Sequence, residues 1–180
     1  MPILSTHNSV LLIVDMQTGL LPAIPDHQPL VERAERLAQA AKLLNVPVIA
    51  TEHYAQKIGP TSPLLQAHVD HVIHKTHFDG TREKHFLAEF PRRRPRVLLI
   101  GTEAHVCVLQ TGLGLARQGF SPVLVADCAG SRRNADHAMA CTRWNQHGLE
   151  QVTAEMAMFE WVDTPEHPRF REVLALIKAG

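Results

Sequence analysis

The chain has 180 residues, 45% of them hydrophobic and 20% charged, which is enough for one well-packed core and too little for two domains. Its 18 basic residues balance 18 acidic ones, so charge favours neither nucleic acid nor an anionic membrane, and no apolar run approaches the roughly 18 residues of a membrane span. The first ten residues lack the pattern of a secretion signal. We therefore predict a single domain over residues 1–180, located in the cytoplasm, that acts on a small molecule and binds no nucleic acid or membrane.

Short β-branched runs alternate with helical patterns along the chain. The runs predict six strands, at 9–15, 47–51, 71–75, 96–102, 121–127 and 149–153. The apolar spacing between them predicts helices near 29–44, 82–90, 105–118, 134–147 and 167–178. Because these strands are continuously apolar, both faces of the sheet should be buried. The predicted class is α/β, with a parallel sheet between two layers of helices.

The first strand ends on an acid, Asp15, in VLLIVDMQTGLL. A carboxylate at the end of a buried strand must meet water, a cation or hydrogen-bond donors. Alone, Asp15 is explained as well by a loop start or a helix cap. Ligands of parallel sheets bind beyond the carboxyl ends of the strands, so the ends of the other strands decide between these interpretations.

The second strand leads into residues 52–64, EHYAQKIGPTSPL, the longest irregular segment and a candidate lid or pocket wall. In the following HVDHVIHKTH, four histidines recur at intervals of three: His68, His71, His74 and His77. A helix would place them on one face, as in a metal site, whereas the apolar residues between them favour a strand with histidines on both faces. The arginines 92, 93, 94 and 96 before the fourth strand are interpreted as a solvated turn.

Two further reactive residues follow strand ends. Lys75 ends the third strand, and Cys107 lies in the first turn of the helix after the fourth, in GTEAHVCV. A free cysteine is only a few per cent thiolate at neutral pH, and a helix N-terminus or a nearby cation or base activates it. Each residue alone would be explained by packing or solvation, but together with Asp15 they predict a nucleophilic site. Three cysteines without a CxxC pair argue against a disulfide framework or a thiolate zinc site, and Cys128 and Cys141 are interpreted as packing residues.

These motifs, in this order, resemble the isochorismatase-like cysteine hydrolases, a family that includes nicotinamidases and N-carbamoylsarcosine amidohydrolase. LLIVDMQ carries Asp15, HKTHF carries Lys75 and GTEAHVCV carries Cys107. The segments LVADCAGSR and MFEWVDTPEHPRFREVLALIK extend the likeness over nearly the whole chain, towards the branch called isochorismatase domain-containing proteins.

The resemblance implies a Rossmann-like sheet in the order 3-2-1-4-5-6 and a catalytic triad of Asp15, Lys75 and Cys107. It also implies a cis peptide between Thr102 and Glu103, and an oxyanion hole formed by the backbone N–H groups of Glu103 and Cys107. The family's habit of forming oligomers predicts a homo-oligomer, a dimer or higher, in which a neighbouring subunit helps to close the pocket.

Two departures narrow the predicted activity. Nicotinamidases carry an Asp-x-His metal motif after strand two, where this chain has TEHYAQ, so we predict no metal and no cofactor. Isochorismatases proper lack the cysteine that this chain keeps. We therefore predict an amidohydrolase that cleaves a small amide-like C–N bond, and the alternative is a non-catalytic binding module with the same fold.

The residues nearest the three reactive positions predict the pocket wall. They are Gln17, Leu20, Tyr54, Phe78 and His105, and His53 also flanks the pocket. This mixture suits a compact neutral amide, because a polyanion would require clustered basic residues and only Lys75 and the more distant Lys57 and Arg82 are at hand.

Overall fold

A computed structural model describes residues 3–91 and 93–180. Its middle layer is a six-stranded, all-parallel sheet in the order β3-β2-β1-β4-β5-β6. The strands are β1 Ser9–Val14, β2 Val48–His53, β3 His71–Lys75, β4 Arg96–Thr102, β5 Ser121–Gly130 and β6 Glu150–Val152. Both the predicted fold class and the predicted strand order are confirmed.

Helices cover both faces of the sheet. They are α1 His27–Leu43, α2 Ala55–Ile58, α3 Pro63–Gln66, α4 Leu109–Arg117, α5 Asn134–Gln146, α6 Ala154–Val162 and α7 Phe170–Lys178, with a π-helix at Ala104–Val108 and short 3-10 turns at Leu21–Ala23, Gly80–Arg82 and Phe86–Glu89. None of these helices, within residues 3–91 and 93–180, is long and apolar enough to cross a bilayer.

The sheet separates two apolar cores. Successive side chains of a strand point to opposite faces, so Leu11 and Ile13 of β1 pack in the core beneath α1, α6 and α7, while Leu12 and Val14 pack in the core beneath α4 and α5. All six residues of β1 are buried, as its continuous apolar run predicts. The carboxyl ends of the strands meet at one edge of these two cores.

The predicted helix at 82–90 is wrong, because polar side chains fix turns there instead. The carboxylate of Asp79 accepts hydrogen bonds from the N–H and the hydroxyl of Thr81 and so caps the 3-10 turn Gly80–Arg82. The carboxylate of Glu83 accepts hydrogen bonds from the N–H groups of Thr76 and His77. The unpredicted α6 exposes Met156 and Phe159 on its outer side, so its sequence lacks a clear polar face. The segment 52–64 also contains two short helices, α2 and α3, and is not wholly irregular.

The interpretation of the arginines before β4 as a solvated turn is wrong for two of them, while Arg92 lies outside the described residues. Arg96 is 3% exposed and its guanidinium contacts the carboxylate of Glu150. Arg94 is half-buried and donates hydrogen bonds to the backbone carbonyls of Thr6 and Ser9. Both arginines therefore fasten the start of β4 to neighbouring segments.

Candidate active site

Asp15 is completely buried directly beyond the end of β1, in a left-handed backbone conformation with φ of 50°. The neighbouring strands hold it by hydrogen bonds. The hydroxyl of Thr51 in β2 donates to Oδ1 over 2.6 Å, and the hydroxyl of Thr102 in β4 donates to the backbone carbonyl of Asp15 over 2.8 Å. The left-handed conformation is uncommon outside glycine, so these contacts hold a strained residue in place.

Lys75 ends β3 with its side chain fully buried, and its Nζ lies 2.6 Å from Oδ2 of Asp15. The same Nζ donates to the backbone carbonyl of His77 over 3.2 Å. This close contact balances the charge of Asp15, and Oδ2 faces the ammonium while Oδ1 accepts from Thr51.

Cys107 lies in the π-helix, is 6% exposed, and interacts with the side chains of both Asp15 and Lys75. Burial, and after it the negative charge of Asp15, raise the pKa of its thiol to about 12, although the positive charge of Lys75 partly offsets the rise. A helix N-terminus or a nearby cation would lower the pKa of the thiol, but burial and the charge of Asp15 outweigh that effect. Cys107 thus presents a thiol beside a carboxylate.

The loop that leads to Cys107 is anchored at Glu103. The Thr102–Glu103 peptide bond is cis. The carboxylate of Glu103 accepts hydrogen bonds from the N–H and the Nε of Arg132, at 2.9 and 3.0 Å, and its backbone carbonyl accepts from the N–H groups of Val106 and Val108. Helix starts leave N–H groups free for a ligand, and the role of Glu103 and Cys107 as oxyanion donors stays a prediction.

The predicted pocket residues lie in different surroundings. Tyr54 and Phe78 are 48% and 51% exposed, and their rings lie 5.0 and 5.4 Å from the ring of His53. Leu20 is half-buried beyond β1. His105 instead makes its polar contacts with the segment after β5, where Nδ1 lies 3.0 Å from Ser131 Oγ.

Gln17 is fully buried, and its side-chain amide is occupied by backbone groups. Its Oε1 accepts from the N–H of His53 over 2.8 Å, and its Nε2 donates to the carbonyls of His53 and Gly59. This arrangement gives Gln17 a positioning role between β1, β2 and the following loop.

Sequence reasoning missed Thr51 and Thr102 because a threonine inside an apolar strand looks like an ordinary β-former. Both sit at or near the carboxyl ends of their strands, where ligand sites form in parallel sheets. A search for polar residues at those ends would have found both.

The four periodic histidines lie beside carboxylates. His71 and His74 belong to β3, and His71 Nε2 is 3.0 Å from Glu89 while His77 Nδ1 is 2.8 Å from Glu83. Within the described residues no group of three or more histidine, cysteine, aspartate or glutamate side chains could hold a metal ion. Cys128 is buried in the core and Cys141 is half-buried, as expected of packing residues.

Known proteins resemble this chain in sequence over most of its length. The isochorismatase domain model matches residues 9–156. The isochorismatase domain-containing protein 2 of Danio rerio is 36% identical over 175 residues, which cover 97% of this chain and 89% of that protein.

Solved structures share the fold. The structure of MAR1 ribonuclease from Caenorhabditis elegans superposes with a TM-score of 0.92 at 30% identity, covering 98% of this chain and 93% of that one. The ycaC gene product of Escherichia coli, described as an octameric hydrolase of unknown specificity, has a TM-score of 0.86 at 21% identity and covers 99% and 98% of the two chains. At that identity the second likeness shows the fold alone.

Proposed function

Because the chain belongs to the isochorismatase family, we propose that it is a hydrolase that cleaves a small amide-like C–N bond through a thioester on Cys107. One observation carries the proposal: the buried Asp15–Lys75 ion pair, with 2.6 Å between Oδ2 and Nζ, lies against the Cys107 thiol. A buried ion pair is a weak source of stability, so a chemical role explains its presence better than a structural one.

The first half-reaction forms the thioester. As the sulfur of Cys107 bonds to the substrate carbonyl carbon, its proton moves to Oδ2 of Asp15 and the carbonyl π electrons move to oxygen. The backbone N–H groups of Glu103 and Cys107 stabilise that oxyanion. When the C–N bond breaks, Asp15 returns the proton to the departing nitrogen and the neutral amine leaves.

The second half-reaction releases the acid. A water attacks the thioester carbon while Asp15 takes one of its protons. The C–S bond then breaks, and Asp15 returns that proton to the sulfur, which regenerates the thiol and releases the acid. The ammonium of Lys75, 2.6 Å from Oδ2, limits the negative charge that builds up at the site. Each step uses this chain's own side chains, so we propose that turnover needs no metal and no cofactor.

The rival function is a binding module that has kept the fold and lost turnover, and the raised pKa of Cys107 is the observation that favours it. RNA cleavage, the activity named for the Caenorhabditis elegans protein, is a second rival because of the 30% identity. A phosphodiester would require unpaired cations, however, and the ammonium of Lys75 is already neutralised by Asp15. Both rivals are decided by the experiment below.

We also propose that the chain acts as one domain in the cytoplasm and forms a homo-oligomer, a dimer or higher. The half-exposed rings of Tyr54 and Phe78 beside the site are apolar surface that a neighbouring subunit would cover. Light scattering of the purified protein tests this directly, and a monomer at micromolar concentration would contradict it.

Hydrolysis of a panel of small amides and carbamoyl compounds, with and without chelator, tests the proposed chemistry. We expect at least one amide to be cleaved, chelator to have no effect, Cys107→Ser to abolish cleavage, and the half-buried control Cys141→Ser to retain it. Loss of activity in chelator would contradict the metal-free mechanism. Cleavage of an added RNA substrate and of no amide would favour ribonuclease activity. Cleavage of no substrate, together with equal reaction of the three cysteines with a thiol probe, would favour the binding module.

A further inference from the structure

Lys75 has a polar contact outside the proposed triad. Its Nζ lies 2.6 Å from Oδ2 of Asp15 and also donates a hydrogen bond to the backbone carbonyl of His77 over 3.2 Å. A lysine carries its ammonium on a flexible chain of methylene groups, so a contact to one partner leaves it considerable freedom. The position of the His77 carbonyl therefore helps to decide where the ammonium sits.

That carbonyl belongs to a turn held by one oxygen of Glu83. Oε1 of Glu83 accepts hydrogen bonds from the N–H of Thr76 over 2.8 Å and from the N–H of His77 over 3.0 Å. The same oxygen lies 2.8 Å from Nδ1 of the His77 ring, which carries its proton there because a carboxylate only accepts. The backbone and the ring of His77 are thus fixed by the same carboxylate.

Glu83 is itself anchored to α4, the helix that directly follows the π-helix of the candidate site. Its N–H donates to the carbonyl of Gly80 over 3.0 Å. The N–H of Gly80 donates to the hydroxyl of Thr111 in α4 over 3.1 Å, and Arg117 of α4 donates to the carboxylate of Asp79 over 2.8 Å. The carboxylate of Glu83 therefore has a firm base against the element that follows the nucleophile.

We propose that Glu83 is a positioning residue for the reaction: by fixing the backbone carbonyl of His77, it holds the ammonium of Lys75 at the triad. The inference rests on the proposed function, in which that ammonium limits the negative charge at the site. Without the carbonyl, the ammonium would spend less time against Asp15, and the attack of the thiol would lose part of its charge compensation.

The charge of Glu83 suits this role. Burial alone would raise its pKa, but hydrogen bonds from the N–H groups of His77 and Thr76 lower it to about 2. Glu83 is therefore a carboxylate at neutral pH. Hydrogen bonds to a charged acceptor are stronger than those to a neutral one, so the turn is held firmly.

Substitutions of two glutamates separate positioning from general stability. Glu83→Ala removes the acceptor, and Glu83→Gln keeps an oxygen in the place of Oε1. Glu89→Ala is the matched control, because Glu89 also contacts a histidine, with 3.0 Å between its Oε2 and Nε2 of His71, at the other end of β3 from Lys75. Glu83→Asp, whose carboxylate is one methylene group short of the turn, takes the place of Glu83→Ala if that variant does not fold.

Amine labelling reports the position of Lys75 without any turnover. Reductive dimethylation with formaldehyde and cyanoborohydride is followed by peptide mass mapping, and the labelling rate of Lys75 is divided by that of the exposed Lys57. We expect Glu83→Ala to raise this ratio about tenfold or more, because a buried ammonium that loses a restraint opens to solvent more often. Glu83→Gln and Glu89→Ala should stay within about threefold of the original chain.

Acetylation of Cys107 by 4-nitrophenyl acetate links that position to the chemistry. We expect Glu83→Ala to slow the acetylation about tenfold or more, Glu83→Gln to retain most of the rate, and Glu89→Ala to leave it unchanged. The buried Cys128 should stay unmodified in every variant, which verifies that the fold is intact.

Lys75 labelling in Glu83→Ala that is as slow as in the original chain would overturn the proposal. So would an equal rise in Glu89→Ala, which would indicate general loosening, or an unchanged acetylation rate in Glu83→Ala. Failure of 4-nitrophenyl acetate to acetylate Cys107 in the original chain would instead overturn the proposed function. The labelling of Lys75 needs no turnover and so keeps the two failures apart.

Discussion

Cys107 and Asp15 form the pair of residues on which the proposed chemistry depends. With the thiol pKa raised to about 12, almost none of the protein carries a thiolate at Cys107 at pH 7. A preformed thiolate is therefore not the nucleophile. In the proposed mechanism the proton moves to Asp15 as the sulfur attacks, so the same carboxylate that suppresses the resting thiolate would make the attack possible.

This dual role predicts opposite responses in Asp15→Asn. Loss of the negative charge should lower the pKa of Cys107 and leave Lys75 to stabilise a thiolate, so alkylation of Cys107 by iodoacetamide at pH 7 should become faster. Amide turnover should fall about 10²-fold or more, since the acid and base is gone. The control is Asp26→Asn, an exposed aspartate that is also left-handed, with φ of 52°. Slower alkylation together with slower turnover would indicate that Asp15 has only a structural role.

Thr51 is predicted to hold the carboxylate in place through its hydroxyl. Thr51→Val keeps the shape of the side chain and removes the 2.6 Å hydrogen bond to Oδ1, so we expect turnover to fall about tenfold or more. Thr51→Ser keeps the hydroxyl and should retain most activity. Equal rates for the valine and serine variants would exclude this role.

The strand ends and the loops after them place the reactive residues. β1, β3 and β4 deliver Asp15, Lys75 and the segment before Cys107 to one edge of the sheet. Gly101 allows β1 and β4 to approach each other there, since its φ is +134° and a Cβ built on it would lie 2.0 Å from the carbonyl oxygen of Val14. A side chain at this position would displace the residue next to Asp15.

Gly101→Ala should therefore destabilise the fold by more than about 2 kcal/mol and reduce turnover, through both strain and overlap. Gly119→Ala is the matched control, because Gly119 also has a positive φ of +84° but a Cβ at that position would meet nothing within 4 Å. That variant should cost about 1 kcal/mol and leave turnover unchanged. Urea unfolding measures both free energies, and equal losses would contradict the close approach at Gly101.

The loop after β3 has a pH dependence of its own. Burial alone would raise the pKa of Glu83, but hydrogen bonds from the N–H groups of His77 and Thr76 lower it from 4.5 to about 2. Because the folded carboxyl binds protons more weakly than the unfolded one, its stabilisation is complete above about pH 4.5 and is lost as the pH falls towards 2.

Glu83→Gln should accordingly lose less stability than the original chain between about pH 5 and pH 2. The exposed control Glu166→Gln should follow the original chain. Urea unfolding at a series of pH values gives the comparison. Parallel pH profiles for the Glu83 variant and the original chain would show that Glu83 has no such role.

The positions of β1 and β4 were predictable from sequence because both strands are buried along their whole length and their sequences are mainly apolar. The turns after β3 were not, since Asp79 and Glu83 act through hydrogen bonds to particular backbone groups that no periodicity reveals. The helix α6 was missed because Met156 and Phe159 interrupt its polar face.

For the whole molecule, the sequence predicted the layered fold, and it predicted that Asp15, Lys75 and Cys107 lie near each other because strand ends of a parallel sheet converge on one edge. It did not predict how burial and neighbouring charges would change the pKa of Cys107. The raised pKa of Cys107 depends on which side chains shield each other in three dimensions.

The proposed chemistry rests on an acyl group carried by Cys107, and peptide mapping after reaction with 4-nitrophenyl acetate at neutral pH measures this directly. The predicted result is one acetyl group on the peptide that contains Cys107, none on those with Cys128 or Cys141, and its removal by hydroxylamine, as for a thioester. An acetyl group on another residue with Cys107 left free would contradict the proposed function.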